Sequence, residues 1–243
     1  MNKIAVITGA TSGLGRAMAG KFKAQGFFVV GLSRHQPEAD VCDRWIKVDL
    51  TDVAERSVAV EELIQLPGID VLVNNAGVGA YAAWGELSEN DLRQLMELDF
   101  FVPVLLTKAL LPQLRRSKAT VVNISSVAGL LPVACMGAYS AGKAAVRMFS
   151  ETLRTEEREI KVVTVYPGRI NTGFGSRAYG CRQVPNTPSH GSETPEMLAK
   201  KVYRAYKCSR RQLVYPAWYR LVIGVLLKFP GIYERGSRKI WKI

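Results

Sequence analysis

The sequence has few of the residues that build metal centres or disulfide frameworks. Its 243 residues include four cysteines and two histidines, and the cysteines lie far apart, without the short spacing of a metal-binding pair. The sequence therefore predicts no metal site, and we expect reduced thiols, as is usual in the cytoplasm. The cysteines are Cys42, Cys135, Cys181 and Cys208.

The sequence also has no apolar run long enough for an export signal or a membrane span. The opening stretch "MNKIAVITGA" changes pattern at Gly9, so we read it as a buried strand rather than a signal peptide. The apolar stretch between Pro216 and Pro230 is far short of the roughly 20 residues that cross a bilayer. These observations predict a cytoplasmic protein, with membrane association as an alternative.

Acidic residues are nearly missing from the last part of the chain. Residues 199–243 hold 12 basic side chains and one acidic side chain, Glu234, whereas the whole chain holds 33 and 21 and has a net charge of +12. The remainder is therefore almost neutral, and the basic stretch is an appendage. Such polarised charge predicts a local role for this stretch.

Short runs of apolar and β-branched residues are present throughout, and longer helical patterns separate them. Runs of this kind are typical of strands buried on both faces, and stretches such as 13–25 and 92–115 have the apolar spacing of helices. With 48% hydrophobic and 22% charged residues, this alternation predicts one α/β domain, a Rossmann-like doubly wound parallel sheet with helices on both faces. The runs are "KIAVITG", "FFVVGLS", "WIKVDL", "DVLVNNAG", "ATVVNISS", "KVVTVYPG" and "RQLVYP".

A glycine-rich stretch, "TGATSGLG", joins the first predicted strand to the first predicted helix. Glycine lets a backbone turn sharply and approach a pyrophosphate closely, and the amino end of a helix attracts negative charge. The alternative is a tight turn without a ligand. The residues that we assign to nucleotide binding here are Gly9, Thr11, Ser12, Gly13, Leu14 and Gly15.

The stretch "YSAGK" places Tyr139 and Lys143 one above the other on a helix. A free tyrosine has a pKa of about 10 and is a poor base at neutral pH. A neighbouring ammonium group favours the phenolate and lowers that pKa. The pair is therefore a candidate proton donor with its electrostatic partner, and a solvated helix face is the alternative.

Five motifs in this order resemble the short-chain dehydrogenase/reductase superfamily along nearly the whole chain. They are the glycine stretch, Asp49 after the third strand, "NNAG" at 74–77, Ser126 thirteen residues before Tyr139, and "YPG" at 166–168 followed by Thr172. The resemblance implies hydride transfer to or from a nicotinamide, with Tyr139 as acid/base, Lys143 on the nicotinamide ribose and Ser126 on the substrate oxygen. It further implies that the dinucleotide is contacted by Asp49, Leu50, Asn75, Ala76, Gly77, Tyr139, Lys143, Pro167, Gly168, Ile170 and Thr172.

The end of the second strand favours NADP(H) over NAD(H). An acidic residue there would bind the ribose hydroxyls of NAD, whereas an arginine can pair with the extra phosphate of NADP. The sequence has Ser33 and Arg34 at this point and no acid. The alternative is that Arg34 is an ordinary solvated loop residue.

One residue of the family pattern is replaced. The asparagine that supports a proton relay in many members corresponds to Asp99 here. An ionised carboxylate only accepts hydrogen bonds, whereas an amide also donates them. Asp99 is therefore either a fourth catalytic residue or a helix residue without a catalytic part.

Apolar residues between Ser126 and Tyr139 predict an apolar carbonyl or alcohol substrate rather than a sugar, with core packing as the alternative. The wall residues are Leu130, Leu131, Val133 and Met136. After Thr172 comes a stretch rich in Gly, Pro and Ser, in the position of a mobile substrate lid in the family. His190 in this stretch is interpreted as a loop histidine.

We divide the chain into an NADP-binding and catalytic domain, 1–215, and a basic, apolar extension of the same domain, 216–243. Arg220, Gly224 and Lys228 form a polar stripe on an otherwise apolar helix. The extension is expected to pack on a second subunit of a homodimer or homotetramer, or over the pocket. Peripheral contact with an anionic membrane is the alternative, and nucleic acid is disfavoured because no binding motif is visible.

The sequence thus predicts an NADP(H)-dependent oxidoreductase that transfers a hydride between the nicotinamide and the carbonyl or alcohol carbon of an apolar substrate. Two alternatives stay open at this point. One is a 3-oxoacyl thioester reductase, although the terminal signature of those relatives is absent here. The other is a sensor or scaffold that binds NADP without turnover.

Overall fold

The centre of the molecule is a parallel sheet of seven strands. The structure, a computed structural model, describes residues 2–38, 40–182 and 193–241. Each of the seven apolar runs named above contains one strand, except that β3 begins one residue before its run. The strands are β1 (Ile4–Thr8), β2 (Phe28–Ser33), β3 (Arg44–Lys47), β4 (Val71–Asn74), β5 (Thr120–Ile124), β6 (Lys161–Pro167) and β7 (Gln212–Tyr215).

Eight α-helices in the described residues surround this sheet. Side-chain caps at Asp52, Ser88 and Thr194 accept hydrogen bonds from main-chain N–H groups and fix where three of the helices begin. The helices are α1 (Gly13–Lys23), α2 (Val53–Ile64), α3 (Glu89–Met96), α4 (Val102–Arg116), α5 (Gly137–Glu156), α6 (Pro195–Lys207), α7 (Tyr219–Lys228) and α8 (Pro230–Trp241).

Both faces of the sheet are covered, as the prediction of a doubly wound sheet required. Successive residues of a strand point to opposite faces, so Val6 packs in one apolar layer and Ile7 in the other. Leu110 of α4 is buried in the first layer and Phe22 of α1 in the second. The predicted fold class, a single Rossmann-like domain, is confirmed.

The strand order positions the functional end of the sheet. The order is β3-β2-β1-β4-β5-β6-β7, and every pair is parallel. After β1 the chain moves outward to β2 and β3 and then returns to place β4 on the other side of β1. At such a switch point the connecting loops diverge and leave a crevice at the carboxyl edge.

Two helical predictions differ in detail from the structure. The predicted helix 92–115 is interrupted by a π-helical turn, Glu97–Phe101, between α3 and α4. Pro230 follows α7, as expected, but it also begins α8, since proline is well accommodated in a first helical turn.

The division of the chain at residue 216 stays a prediction. Among the described residues, none of the helices has the length and apolar character of a membrane span.

Candidate active site

The glycine turn after β1 is packed too tightly for side chains. Gly9 and Gly13 have left-handed backbones, with φ of 68° and 53°. A Cβ on Gly15 would lie 2.0 Å from the carbonyl oxygen of Gly9. Asn75, directly after the neighbouring strand β4, fixes the position of the turn because its Nδ2 donates to Thr8 O at 2.9 Å. The glycines are therefore required by the close approach of backbone to backbone.

The amino end of α1 is suited to a phosphate. Ser12 precedes the helix but makes no capping hydrogen bond, and the first turn of α1 has no acidic residue. Its N–H groups and its dipole therefore present a positive end to the crevice. Arg177, on the 3₁₀ turn Phe174–Arg177, donates from Nη1 to Ser12 Oγ at 3.1 Å and adds a cation. Thr172 lies against the glycine turn after β1, and its Cβ is 3.1 Å from a Cβ built on Gly13.

Three more of the residues assigned to nucleotide binding are buried or half-buried: Thr11 and Leu14 of the glycine stretch, and Leu50 after β3. Leu14 is half-buried against the layer that contains α1, and Leu50 is buried in the opposite layer. Thr11 is half-buried at the turn. The structure therefore places all three around the crevice without a contact that identifies a ligand.

Arg34 lies at the edge of the crevice beside Asp49. The Nη1 atom of Arg34 is 3.8 Å from Asp49 Oδ2, and the Arg34 side chain is 69% exposed. Burial tends to raise the pKa of the Asp49 carboxyl, but hydrogen bonds from Thr51 and the Arg34 charge hold that pKa below its usual value. Ser33 is less available, because its hydroxyl donates to His35 O and accepts from Trp45 Nε1. Arg34 is thus the accessible polar group at this point.

Ser126, Tyr139 and Lys143 meet at the middle of the carboxyl edge. Ser126 is the second residue after β5, and its Oγ accepts from Ala128 N at 3.1 Å and donates to Pro167 O at 3.4 Å. Tyr139 and Lys143 project from α5, and the Lys143 Nζ lies 5.6 Å from the centre of the Tyr139 ring. All three side chains are buried. The four-residue spacing brings the phenol and the ammonium together, as expected of a helix.

The π-helical turn places Asp99 directly against Lys143. The Asp99 Oδ2 lies 3.1 Å from Lys143 Nζ, and the two side chains are 0% and 5% exposed. The other oxygen of Asp99, Oδ1, accepts from Val78 N at 2.8 Å. A Cβ on Gly77 would lie 3.0 Å from Asp99 Oδ1. Asp99 therefore lies within ion-pair distance of Lys143.

This pairing changes the expected acidity of Tyr139. Burial raises the pKa of the phenol, and the Asp99 charge raises it further, while the contact with Ser126 works in the opposite direction. Burial also raises the pKa of Asp99, against the effect of Lys143 and the Val78 N–H. We expected Lys143 to lower the Tyr139 pKa. Because the Asp99 carboxylate lies beside the ammonium and the phenol is buried, the phenol is instead less acidic than free tyrosine.

The wall around Tyr139 is apolar. Val133 and Met136 pack with Tyr139 in one cluster, and the ring centre of Phe174 lies 5.8 Å from that of Tyr139. Leu130 and Leu131, which were expected in this wall, are half-buried and lie outside the cluster. The second part of the predicted lid, with His190, lies outside the described residues.

The end of β6 and the extension close the other side of the crevice. The ring of Tyr219 covers Gly168, where an added Cβ would be 2.4 Å from Tyr219 Cε2. Ile170 is half-buried in the layer beside α1. Trp241 of α8 stacks on Tyr81 with ring centres 6.2 Å apart. The extension therefore packs on the body at two points.

Several of these residues were missed by the sequence analysis. Arg177, Phe174 and Trp241 reach the crevice from segments far along the chain from their partners. No local spacing signals such contacts. Ala76 has a structural role that its sequence context indicates. The stretch "NNAG" follows a strand, and the Ala76 N–H donates to Thr8 Oγ1 at 2.9 Å, on the neighbouring strand β1. In the described residues, no group of His, Cys, Asp and Glu side chains has the arrangement of a metal site.

A doubly wound sheet with a glycine turn after its first strand, and a phenol, an ammonium and a carboxylate at its carboxyl edge, defines a nucleotide-binding α/β protein. The family model described as short chain dehydrogenase matches residues 3–179. The chain belongs to this family of oxidoreductases.

Similar proteins of known identity share this fold. A 3-ketodihydrosphingosine reductase of Bacteroides thetaiotaomicron is 40% identical over 176 residues, which cover 71% of this chain and 65% of that protein. Dehydrogenase/reductase SDR family member 7B of Bos taurus is 36% identical over 246 residues, 88% of this chain and 73% of that one. The crystal structure of a short-chain dehydrogenase from Streptomyces avermitilis is 31% identical, with a TM-score of 0.79, and covers 100% of this chain and 97% of its own.

Proposed function

We propose that the protein is an NADP(H)-dependent oxidoreductase that reduces the carbonyl group of an apolar substrate, or oxidises the corresponding alcohol. The observation that carries this proposal is the buried cluster of Ser126, Tyr139, Lys143 and Asp99 beside the uncapped amino end of α1. A binding protein without chemistry has no need to bury a phenol, an ammonium and a carboxylate together, because burying charge costs free energy.

The crevice residues fit a dinucleotide phosphate. The amino end of α1 and Arg177 would hold the pyrophosphate, and Arg34 would hold the extra phosphate of NADP in exchange for its 3.8 Å contact with Asp49. Lys143 and Thr172 would contact the nicotinamide side. When bound, the reduced nicotinamide supplies a hydride to the carbonyl carbon.

Tyr139 supplies the remaining proton. Its raised pKa keeps the phenol protonated at neutral pH, so it can donate O–H to the carbonyl oxygen as that atom gains negative charge. Ser126 would hold the same oxygen by a hydrogen bond. Lys143 favours the phenolate that is left, and the proton is then restored from water. Asp99 positions Lys143 and sets how much of its charge the phenol feels.

The substrate is proposed to be an apolar ketone, aldehyde or alcohol. Val133, Met136 and Phe174 surround the phenol with apolar surface, and Trp241 and Tyr81 extend that surface outward. The name of the Bacteroides relative, a 3-ketodihydrosphingosine reductase, favours a ketone on a long alkyl chain. A long-chain ketone is therefore the first compound to test.

The test is NADPH consumption with long-chain ketones, aldehydes and 3-oxoacyl thioesters. We expect the ketones to be reduced by the wild type and the rate to fall at least 1,000-fold, an order-of-magnitude figure, in Tyr139→Phe. Tyr203→Phe on α6, outside the crevice, is the matched control. Preference for the thioesters would favour the thioester reductase, and NADPH binding without turnover would favour the sensor.

We also propose a homodimer or homotetramer in the cytoplasm. Phe101, Leu105 and Met148 are exposed apolar residues on the π turn, α4 and α5, and an exposed apolar face of this kind favours self-association. Light scattering of the wild type and of a Phe101→Ser/Met148→Ser variant tests it. A monomeric wild type would contradict this proposal.

A further inference from the structure

We propose that α7 and α8 form a surface that docks onto an anionic lipid bilayer. Exposed large apolar side chains are concentrated there, since 7 of the 16 in the described residues lie between 218 and 240. An apolar patch of this density on the outside of a protein indicates a binding surface. We call the following residues the C-terminal apolar face: Trp218, Leu221, Val225, Leu227, Phe229 and Ile232.

The face exists because α7 is apolar on two sides. Tyr219, Ile223 and Leu226 lie on the inner side of α7 and are buried or half-buried. Leu221 and Val225 lie on the outer side and are 75% and 46% exposed. The inner residues suffice to attach the helix to the body. The outer residues leave much of their apolar surface in solvent, where a surface helix ordinarily has polar residues.

Basic residues surround the face. Arg220, Lys228, Arg235, Arg238 and Lys239 are exposed on α7 and α8, against one exposed acid, Glu234. Within the described part of the chain, none of these five cations forms an ion pair with a carboxylate. Cations without carboxylate partners beside apolar side chains match a surface that has phosphates above an alkyl layer.

An arginine-rich hollow adjoins α7. Arg210, Arg211 and Arg220 line an open cavity of about 440 Å³, together with Gln212 and Glu151. The Glu151 carboxylate is already bound by Arg154 and Gln212, so the three guanidinium groups dominate the charge of the hollow. One guanidinium group can donate two parallel hydrogen bonds to two oxygens of a phosphate. We assign this hollow to a lipid headgroup phosphate.

Charge also decides between a bilayer and a second copy of the chain. Two copies that met through this face would bring the same excess of positive charge together, which is unfavourable. Anionic lipid supplies the opposite charge. Because α7 and α8 are short, they would lie in the plane of the interface.

The position of the face gives docking a consequence for substrate entry. Tyr219 on α7 covers Gly168, and Trp241 on α8 stacks on Tyr81 at the crevice. A docked molecule would therefore hold its crevice beside the lipid, where an apolar substrate is concentrated. This consequence for substrate entry rests on the proposed function, whereas docking itself does not.

Sedimentation with lipid vesicles tests the docking directly, without any measurement of activity. The full chain is mixed with vesicles of phosphatidylcholine alone, or with one third phosphatidylglycerol, at low and at high salt. We expect binding at least tenfold stronger to the anionic vesicles and weakened by salt. Equal binding to both vesicles, or no binding to either, would overturn the proposal.

Two pairs of substitutions locate the contact. Leu221→Ser/Val225→Ser removes apolar surface, and Arg210→Glu/Arg220→Glu reverses charge at the hollow; each should weaken anionic binding at least tenfold. The controls Val53→Ser/Val58→Ser on α2 and Arg93→Glu on α3 change exposed residues elsewhere and should bind as the wild type does. All the substituted side chains are exposed, and circular dichroism checks that each variant is folded.

A further outcome would identify a subunit interface instead. If the wild type fails to bind vesicles and Leu221→Ser/Val225→Ser reduces the oligomer size in light scattering, the face joins two copies of the chain. That result would overturn the docking proposal and leave the proposed oxidoreductase function intact. If ketones are not reduced but vesicle binding is normal, the proposed oxidoreductase function is overturned and the docking proposal stays intact.

Discussion

At the scale of single residues, the partner of Lys143 decides the acidity of Tyr139. An ammonium beside a phenol favours the phenolate, but the Lys143 charge is balanced by the Asp99 carboxylate 3.1 Å away. Burial then dominates and raises the Tyr139 pKa. A protonated phenol is ready to donate during reduction, whereas oxidation of an alcohol requires its deprotonation.

The variant Asp99→Asn should shift the pH dependence of alcohol oxidation. The Asp99 charge raises the Tyr139 pKa, so its removal lowers that pKa and leaves Lys143 free to stabilise the phenolate. We expect the rising limb of kcat/KM against pH to move to lower pH. The measurement is the pH profile from neutral to alkaline, with Glu89→Gln, an exposed acid on α3, as control. An unchanged limb would show that Asp99 has no influence on the phenol.

Arg34 and Arg177 should differ in how they affect the two nucleotides. Arg34 lies where the extra phosphate of NADP is proposed to bind, and Arg177 lies at Ser12 beside the proposed pyrophosphate site. Arg34→Ala should weaken NADPH binding at least tenfold and change NADH binding little. Arg177→Ala should weaken both equally, by about 1–3 kcal/mol, as expected for a charge-assisted hydrogen bond.

Calorimetric titration of each variant with NADPH and with NADH measures this difference. Arg93→Ala, an exposed cation on α3, serves as the control and should bind both nucleotides as the wild type does. A wild type that prefers NADH, or an Arg34 variant that loses both nucleotides alike, would contradict the assignment of Arg34.

At the scale of elements, the sequence predicts what depends on neighbours along the chain. The seven apolar runs each contain all or nearly all of a strand, because burial on both faces requires continuous apolar residues. The contact between Tyr139 and Lys143 follows from one helical turn. The ion pair with Asp99 could not be predicted in the same way, because its geometry depends on the π turn and on how that turn packs against α5.

Two glycines of α1 should respond in opposite ways to alanine. Gly15→Ala places a Cβ 2.0 Å from Gly9 O, and we expect a loss of about 1–3 kcal/mol of stability from overpacking, with weaker nucleotide binding. Gly20→Ala has no atom within 4 Å of the new Cβ and should gain about 0.5–1 kcal/mol from its higher helix propensity. Urea unfolding followed by circular dichroism compares them. Equal effects would show that the turn tolerates a side chain.

At the scale of the whole molecule, one sheet links the two apolar layers and the crevice. The glycine turn follows β1, Ser126 after β5 donates to Pro167 of β6, and Tyr219 of the extension covers Gly168 after β6. A ligand that bridges them stabilises the folded chain as a unit, because it binds the folded state and not the unfolded one.

Nucleotide should therefore raise the melting temperature, and NADPH more than NADH. At 100 times its Kd, a ligand adds about 2.7 kcal/mol, which for a domain of this size corresponds to about 5–10 °C. Thermal denaturation with saturating NADPH, with equal NADH and without nucleotide is the measurement. Identical shifts with the two nucleotides would contradict the NADP preference, and Arg34→Ala should remove the difference between them.

The π turn between α3 and α4 sets where Asp99 lies relative to Lys143. A π turn is closed by i→i+5 hydrogen bonds, so it holds one residue more than an α-helical turn. Without that extra residue, α3 and α4 would run on as one helix, and Asp99 would rotate by about 100° away from Lys143. The contact between Asp99 and Lys143 therefore depends on the number of residues in this turn as well as on the acid itself.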